Sequence, residues 1–347
     1  MKDLRVYGNI KRQCQMFILA LASFGAWRLQ AASSVPLPSF TTSEEIDGSL
    51  EEVTFLSKES VDSDKKIERK GQLAFYPDAE ANVVICHGFM CNKHDVAFLR
   101  RLFPRGKYNI LTFDFRGHGD NRDGQACTFG RDEVFDVEAA VAYLKNDPKI
   151  KHLPCIAYGF SMGAASAIES QARNHALFDA MILDCPFDSS ENVIKRGLDD
   201  LKISAFGYEF GLPGRSLLQK YAFHPHVQTF VKNILRCITA LNPRDIEINM
   251  CRVYPGESVK KITVPCFFIH CKNDEKIGVE SVKNIYNNAA CQYKKLWITN
   301  GRSHFDSYFY APERYTSEVR QFLSAVLDGS AIKEEKKELI EDREDKK

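Results

Sequence analysis

From Glu51 onward the chain alternates two hydrophobic rhythms. Short runs of apolar and β-branched residues recur at Asn82–Cys86, Asn109–Phe113, Cys155–Tyr158, Ala180–Leu183, Cys266–His270 and Lys295–Thr299. Each has strand length, and most are apolar at successive rather than alternate positions, the pattern of a strand covered on both faces. Glu52–Ser57 and Gln72–Tyr76 are more polar and suit antiparallel edge strands. Helical periodicity fills the intervals at Asp95–Leu102, Glu133–Asn146, Met162–Asn174, Gly278–Asn288 and Pro312–Leu327. This alternation predicts an α/β fold: a mostly parallel, eight-stranded sheet flanked by helices, with right-handed crossovers.

The rhythm breaks once. Between Asp184 and Val264 about 80 residues pass without a strong strand, far beyond an ordinary connection. The interval clusters aromatic residues (Phe206, Tyr208, Phe210; Tyr221, Phe223) and glycines (Gly207, Gly211, Gly214). It is expected to be a helical cap, residues 188–263, inserted into a core made of residues 51–187 and 264–328.

The two ends differ from the core. Lys2, Arg5, Lys11 and Arg12 precede an uncharged stretch, residues 13–27, and small residues follow at Ala31, Ala32, Ser33 and Ser34. Residues 1–32 therefore carry the order of a secretory signal or anchor. The apolar part, Met16–Trp27, is shorter than the about 20 residues of a membrane span. Export, or membrane association through residues 13–27, is the expected localisation, with a cytoplasmic location as the alternative. Residues 33–50 are rich in Ser, Thr and Pro and read as a linker. Residues 329–347 form a charged tail, with 13 charged side chains among the last 15, and are expected to stay solvated.

Composition narrows the function. Hydrophobic residues are 44% and charged residues 27% of the 347, which excludes wholesale disorder and a multi-span membrane protein. Lys+Arg is 47 against 46 Asp+Glu, so no global field exists to hold nucleic acid. The 11 cysteines include no C-x-x-C pair, which argues against a zinc or thioredoxin-like site. Cys86, Cys155, Cys185 and Cys266 fall in or beside predicted strands, as small apolar residues do. Such core thiols fit a reducing compartment, and no N-x-[ST] sequon is present, both at odds with the signal-like N-terminus.

The chemistry concentrates at Gly159-Phe160-Ser161-Met162-Gly163. This G-x-S-x-G follows a buried strand and opens a helix of small residues. A serine raised on so sharp a turn takes a strained backbone, and glycine on either side, Gly159 and Gly163, removes the collisions that side chains would make. The helix N-terminus behind Ser161 favours developing negative charge. A serine hydroxyl needs a base. His304 follows the last strand on the same sheet edge, whereas His118 sits in a tight turn and reads as structural. His224 and His226 lack a nearby carboxylate and make a poor metal site. The base needs an orienting carboxylate, for which Asp274 follows the strand Cys266–His270, with Asp184 and Glu275 as rivals. Oxyanion donors are expected from the backbone N–H groups of Met162 and Phe89, the latter in His87-Gly88-Phe89 after the Asn82–Cys86 strand.

Taken in order, His87-Gly88-Phe89, Asp114-Phe115-Arg116-Gly117-His118-Gly119, the Ser161 elbow, Asn273-Asp274 and Ser303-His304 resemble the α/β-hydrolase superfamily. The chain is most similar there to the serine aminopeptidase and monoglyceride-lipase-like serine hydrolases, over about residues 70–328. The residues before His304, Arg302-Ser303, depart from the usual glycine-containing pattern. The resemblance implies hydrolysis of an ester, thioester or peptide-like bond through an acyl-enzyme, and a cap inserted after the sixth strand. The expected activity is that of a serine esterase or thioesterase acting on a small-molecule or lipid-like acyl substrate, with no cofactor or metal. It should rise with pH through about 6–7 as histidine becomes neutral. The alternatives are a serine peptidase or aminoacyl hydrolase, and a non-catalytic hydrolase-like binding scaffold.

Overall fold

Six strands whose every residue is buried form the centre of the fold: β3 (Ala81–Cys86), β4 (Tyr108–Phe113), β5 (Cys155–Phe160), β6 (Ala180–Asp184), β7 (Cys266–Cys271) and β8 (Lys294–Thr299). The computed structural model describes residues 28–30, 49–122, 124–199, 202–205, 208–211, 214–224, 227–228, 247–330 and 338–341. The signal-like stretch at residues 13–27 lies outside them. Among the described residues no helix is long and apolar enough to cross a membrane.

Among the described residues the sheet has nine strands in the order β9-β8-β7-β6-β5-β3-β4-β2-β1, where β1 is Ser49–Ser60, β2 Ser63–Phe75 and β9 Glu338–Glu341. Strands β3 to β9 run parallel, and β2 joins β4 antiparallel. The eight expected strands are all present. β1 and β2 are longer than the pattern indicated, because polar alternation continues to the tip of their hairpin.

Alternate residues of each central strand point to opposite faces. On one face Val84, Leu111, Ala157, Leu183 and Phe268 pack with α1 (Glu133–Asn146), α2 (Met162–Arg173) and α5 (Val279–Asn288). On the other, Val83, Ile110, Tyr158, Ile182, Phe267 and Trp297 pack with the 3-10 turn Ala97–Leu102 and α6 (Pro312–Leu327). Cys266 and Cys271 fall on opposite faces. Among the described residues no disulfide links the nine cysteines, and all but Cys251 are buried.

Two expectations need correction. The interval after β6 contains helices α3 (Ser190–Asp199) and α4 (Arg215–Tyr221), but between them Lys202–Ala205 and Tyr208–Gly211 pair as an antiparallel hairpin. Strands of four residues with mixed polarity are too short to show a period of two. The charged tail also contributes structure: Glu338–Glu341 runs parallel to β8, with Leu339 and Ile340, the only apolar residues of that stretch, at its centre. The unpaired edge of β8 supplies backbone groups that even a polar strand can satisfy.

One buried ion network ties the N-terminal hairpin to the body. Asp136 of α1 accepts hydrogen bonds from Arg69 Nε at 2.8 Å, Arg116 Nε at 3.0 Å and Nη2 at 2.8 Å, and the Ser57 hydroxyl at 2.6 Å. Arg116 also donates to the carbonyls of Lys58 and Glu59 at the hairpin tip. Burial opposes ionisation of Asp136, but the charges of Arg116 and Arg69 outweigh it and hold its pKa down at about 2. Removing the carboxylate leaves two arginines buried without their counter-charge. Asp136→Ala should therefore lower the unfolding free energy by about 3–5 kcal/mol in urea titrations near neutral pH. Because the folded pKa is depressed, this contribution is complete above the ordinary carboxylate value of about 4. It disappears as the pH falls toward about 2. A loss below about 1 kcal/mol would assign the network no more weight than a surface ion pair.

Candidate functional site

The site is assembled at the C-terminal edge of the parallel strands. Ser161 stands alone between the end of β5 and the start of α2, with φ 52° and ψ −114°. Such a conformation costs a non-glycine residue about 1–3 kcal/mol. It is held by the Ser161 N–H, which donates to the Asp184 carbonyl at 2.8 Å, and by the Ser161 carbonyl, which accepts from the Ala165 N–H at 3.0 Å. A Cβ on Gly159 would lie 2.6 Å from the Ala164 Cα, and one on Gly163 would collide with the Cys86 carbonyl. Gly159 therefore lets the first turn of α2 fold back on the end of β5, and Gly163 lets that turn rest on the end of β3.

That close approach sets the neighbouring loop beside the helix N-terminus. Gly88 lies over the Phe160 ring, where a Cβ would come within 2.5 Å of the ring carbons. His87 fixes the loop from beneath: its Nε2 accepts the Phe115 N–H at 3.0 Å, so Nδ1 carries the proton and donates to the Gly88 carbonyl at 2.7 Å. Burial, with the nearby His118, pushes the pKa of His87 down to about 3, and the ring stays neutral. Phe89 and Met162 line the same cleft as Ser161. Met162 opens α2, where first-turn N–H groups have no intrahelical acceptor.

His304 bridges the serine and the acid. Its Nε2 lies 3.0 Å from Ser161 Oγ and its Nδ1 2.7 Å from Asp274 Oδ2. Asp274 Oδ1 accepts the backbone N–H groups of Lys276 and Ile277, each at 2.9 Å. Burial raises the cost of ionising Asp274, but the charge and hydrogen bond of His304 outweigh it and lower its pKa. The loop after β8 that presents His304 is braced by Arg302, which donates to Asp306 from its backbone N–H at 2.7 Å, from Nε at 2.9 Å and from Nη2 at 3.0 Å. The unusual Arg302-Ser303 sequence thus supplies its own support for the turn.

The rival residues are placed elsewhere. Asp184 is buried behind the elbow, where it accepts from the Tyr315 hydroxyl at 2.8 Å and the Cys185 thiol at 3.2 Å. Glu275 is exposed. His118 bonds the Arg116 carbonyl within its own turn at 2.8 Å, as a structural residue does. His226 lies outside the described residues. Among those described, Cys185, His270 and Asp274 are the one group with metal-type donors close together. The Asp274 carboxylate in that group is already engaged by His304 and two backbone amides, and His270 Nε2 bonds the Ile277 carbonyl.

The cleft has a volume of about 210 Å³. This falls below the usual span for drug-sized ligands, roughly 300–1,000 Å³. Phe89, Phe129, Phe160, Phe187, Phe305 and Phe309 form its walls. Phe160 stacks on Phe305 at 3.6 Å between ring centroids and tilts against His304 at 5.3 Å. Sequence reasoning missed most of these walls, because Phe129 and Phe187 stand on loops with no periodicity. It also missed Arg196 of α3, which donates to the backbone carbonyls of Asp274 at 3.2 Å and Glu275 at 2.8 Å and ties the inserted segment to the acid loop. A contact across 78 residues leaves no local signal.

Comparison with known proteins agrees with this architecture. The chain is 29% identical over 254 residues, 73% of its length and 74% of the relative's, to the uncharacterised protein YqkD of Bacillus subtilis strain 168. It is 25% identical over 214 residues, 55% of its length and 69% of the relative's, to the quorum-quenching protein AidA of Acinetobacter baumannii strain MDR-ZJ06. The solved structure of the Pyrococcus furiosus esterase Pf2001 superposes with a TM-score of 0.59 at 21% identity, covering 86% of this chain and 98% of that one, and shares the fold. The model of the alpha/beta hydrolase family matches residues 83–318. These residues contain six strands of the parallel sheet, the elbow and the loops that present Asp274 and His304, and on that match the chain belongs to the alpha/beta hydrolase family.

Proposed function

We propose that the protein is a serine hydrolase that cleaves an ester or thioester through an acyl-enzyme. The observation that carries this reading is the position of His304, within hydrogen-bond reach of both Ser161 Oγ and Asp274 Oδ2. Ser161 Oγ attacks the acyl carbon while His304 Nε2 takes its proton. Asp274 holds the Nδ1–H tautomer and stabilises the imidazolium. The Met162 and Phe89 amides receive the oxyanion. His304 then returns the proton to the leaving oxygen or sulfur, and water repeats the sequence to free the acid and restore Ser161. The narrow, phenylalanine-lined cleft favours a short or planar acyl or leaving group over a long flexible chain.

Two outcomes follow. A fluorophosphonate probe should label wild-type protein once, and Ser161→Ala should abolish labelling; a folded wild-type protein that resists the probe would refute the catalytic reading. Asp274→Asn should lower kcat on a p-nitrophenyl ester by roughly 10³–10⁴-fold, the cost of losing the tautomer-fixing carboxylate in such triads. Asp184→Asn should lower it less than about tenfold, since its carboxylate bonds no member of the proposed triad. The reverse ranking in steady-state assays would transfer the acid role to Asp184.

A further inference from the structure

The charge around the cleft is lopsided once each ion pair is accounted for. Asp306 is held by Arg302, whereas Asp274 keeps its charge behind His304, which must be neutral to act as the base of the proposed reaction. Lys276 also lines the cleft, is exposed, and has no carboxylate in ion-pair reach among the described residues. Cys91, in the loop that carries Phe89, lines the cleft with it; burial pushes the Cys91 thiol up to about 12, and the charge of Lys276 offsets part of that rise.

The same lysine lines a second, polar groove of about 650 Å³ that continues from the cleft along α3 and α5. Within it Glu280 pairs with Lys283 at 3.7 Å and Asp199 with Arg215 at 3.5 Å. Arg196 donates only to backbone carbonyls, so its charge is not cancelled by a carboxylate, and Lys195 has no ion-pair partner among the described residues. Asp188 is the one acid left over, saturated by the neutral donors Asn192, Ser281 and Asn284. Among the described residues three cations, Lys195, Arg196 and Lys276, therefore stand against one groove carboxylate, Asp188, with Asp274 buried behind His304.

We propose that Lys276, at the junction of cleft and groove, selects esters that carry an anionic group, a carboxylate or a phosphate, beyond the scissile bond. The apolar cleft takes the part nearest Ser161, and the anion extends past Lys276 toward Arg196 and Lys195. This rests on the serine-hydrolase reading for the bond that is broken; the charge selection itself does not require turnover.

The test uses three phenyl acetates that differ only at the para position: 4-acetoxyacetophenone, which is neutral, 4-acetoxybenzoate, and 4-acetoxyphenyl phosphate. Their equilibrium binding is measured in the full-length Ser161→Ala protein, alone and combined with Lys276→Gln or Lys276→Glu, at low and high salt. At least one anionic ester should bind about threefold or more tightly than the neutral one at low salt, the effect of one exposed ion pair. High salt should erase the preference. Lys276→Gln should remove it, and Lys276→Glu should invert it. Whichever of the two anions shows the larger preference identifies the group. In proteins retaining Ser161, the same order should appear in kcat/KM for each ester, taken as the ratio of Lys276 variant to wild type so that intrinsic ester reactivity cancels. Equal binding of the neutral and both anionic esters, or a preference unchanged by both Lys276 variants, would overturn the proposal. Charge-selective binding with no turnover of any ester by the wild type would instead overturn the serine-hydrolase reading and leave Lys276 as the selector.

Discussion

Everything at the mouth of the cleft depends on how closely the first turn of α2 can approach the end of β3. Gly163 has no Cβ, so helix backbone rests directly on the Cys86 carbonyl. That contact sets three things together. It fixes the angle at which the chain leaves β5, and so the strained φ of 52° at Ser161. It brings the α2 N-terminus beside the loop beginning at His87. It also leaves Gly88 so tight against Phe160 that this ring is pinned, and Phe160 in turn stacks on Phe305 next to His304. A methyl group at Gly163 would have to push two strand ends apart, and the serine, the loop amides and the histidine face would all move with them.

Around this contact the protein uses rigid backbone rather than flexible side chains to hold position. Asp274 is gripped by two amides of its own loop, His87 by one amide and one carbonyl, and Ser161 by the carbonyl of Asp184. Long-range ties then fasten the loops to distant segments. Arg196 clasps the acid loop from α3, and the Asp136 network links α1 to the hairpin tip and to the turn that carries His118. Groups whose rotamers are locked by such partners lose little further freedom when a ligand binds.

Much of the fold was legible in the sequence because the central strands are buried on both faces and carry unbroken apolar runs. α1 and α6 begin and end at the expected residues, since their periodicity is strong and α6 opens on Pro312. Ser161, Asp274 and His304 were legible because each follows a strand at the same sheet edge. What escaped was structure without a local period: the four-residue hairpin in the inserted segment, the β9 strand in a charge-dense tail, and the loop phenylalanines. The long antiparallel hairpin was foreshortened because Lys65, Lys66 and Glu68 interrupt any hydrophobic signal while backbone pairing continues through them. Tertiary hydrogen bonding fixes these elements, and a period-based reading has no access to it.

The same limit leaves two carboxylates in the sequence as candidates for one role. Asp184 ends β6 and Asp274 follows β7 at the same edge, and the sequence ranks Asp274 first without excluding Asp184. Their surroundings do. Burial pushes Asp184 up to about 6, and the Tyr315 hydroxyl and Cys185 thiol offset only part of that effect. Burial acts on Asp274 in the same direction, yet His304 and the amides of its own turn reverse it and hold the pKa below the ordinary carboxylate value. In the proposed reaction the carboxylate that stabilises a transient imidazolium has to stay ionised at neutral pH, and one poised near 6 facing a phenol meets that demand less well. The separation comes from what surrounds each strand end: β7 opens into a turn whose amides point back at the side chain, whereas β6 delivers its acid into the packed layer beneath α6.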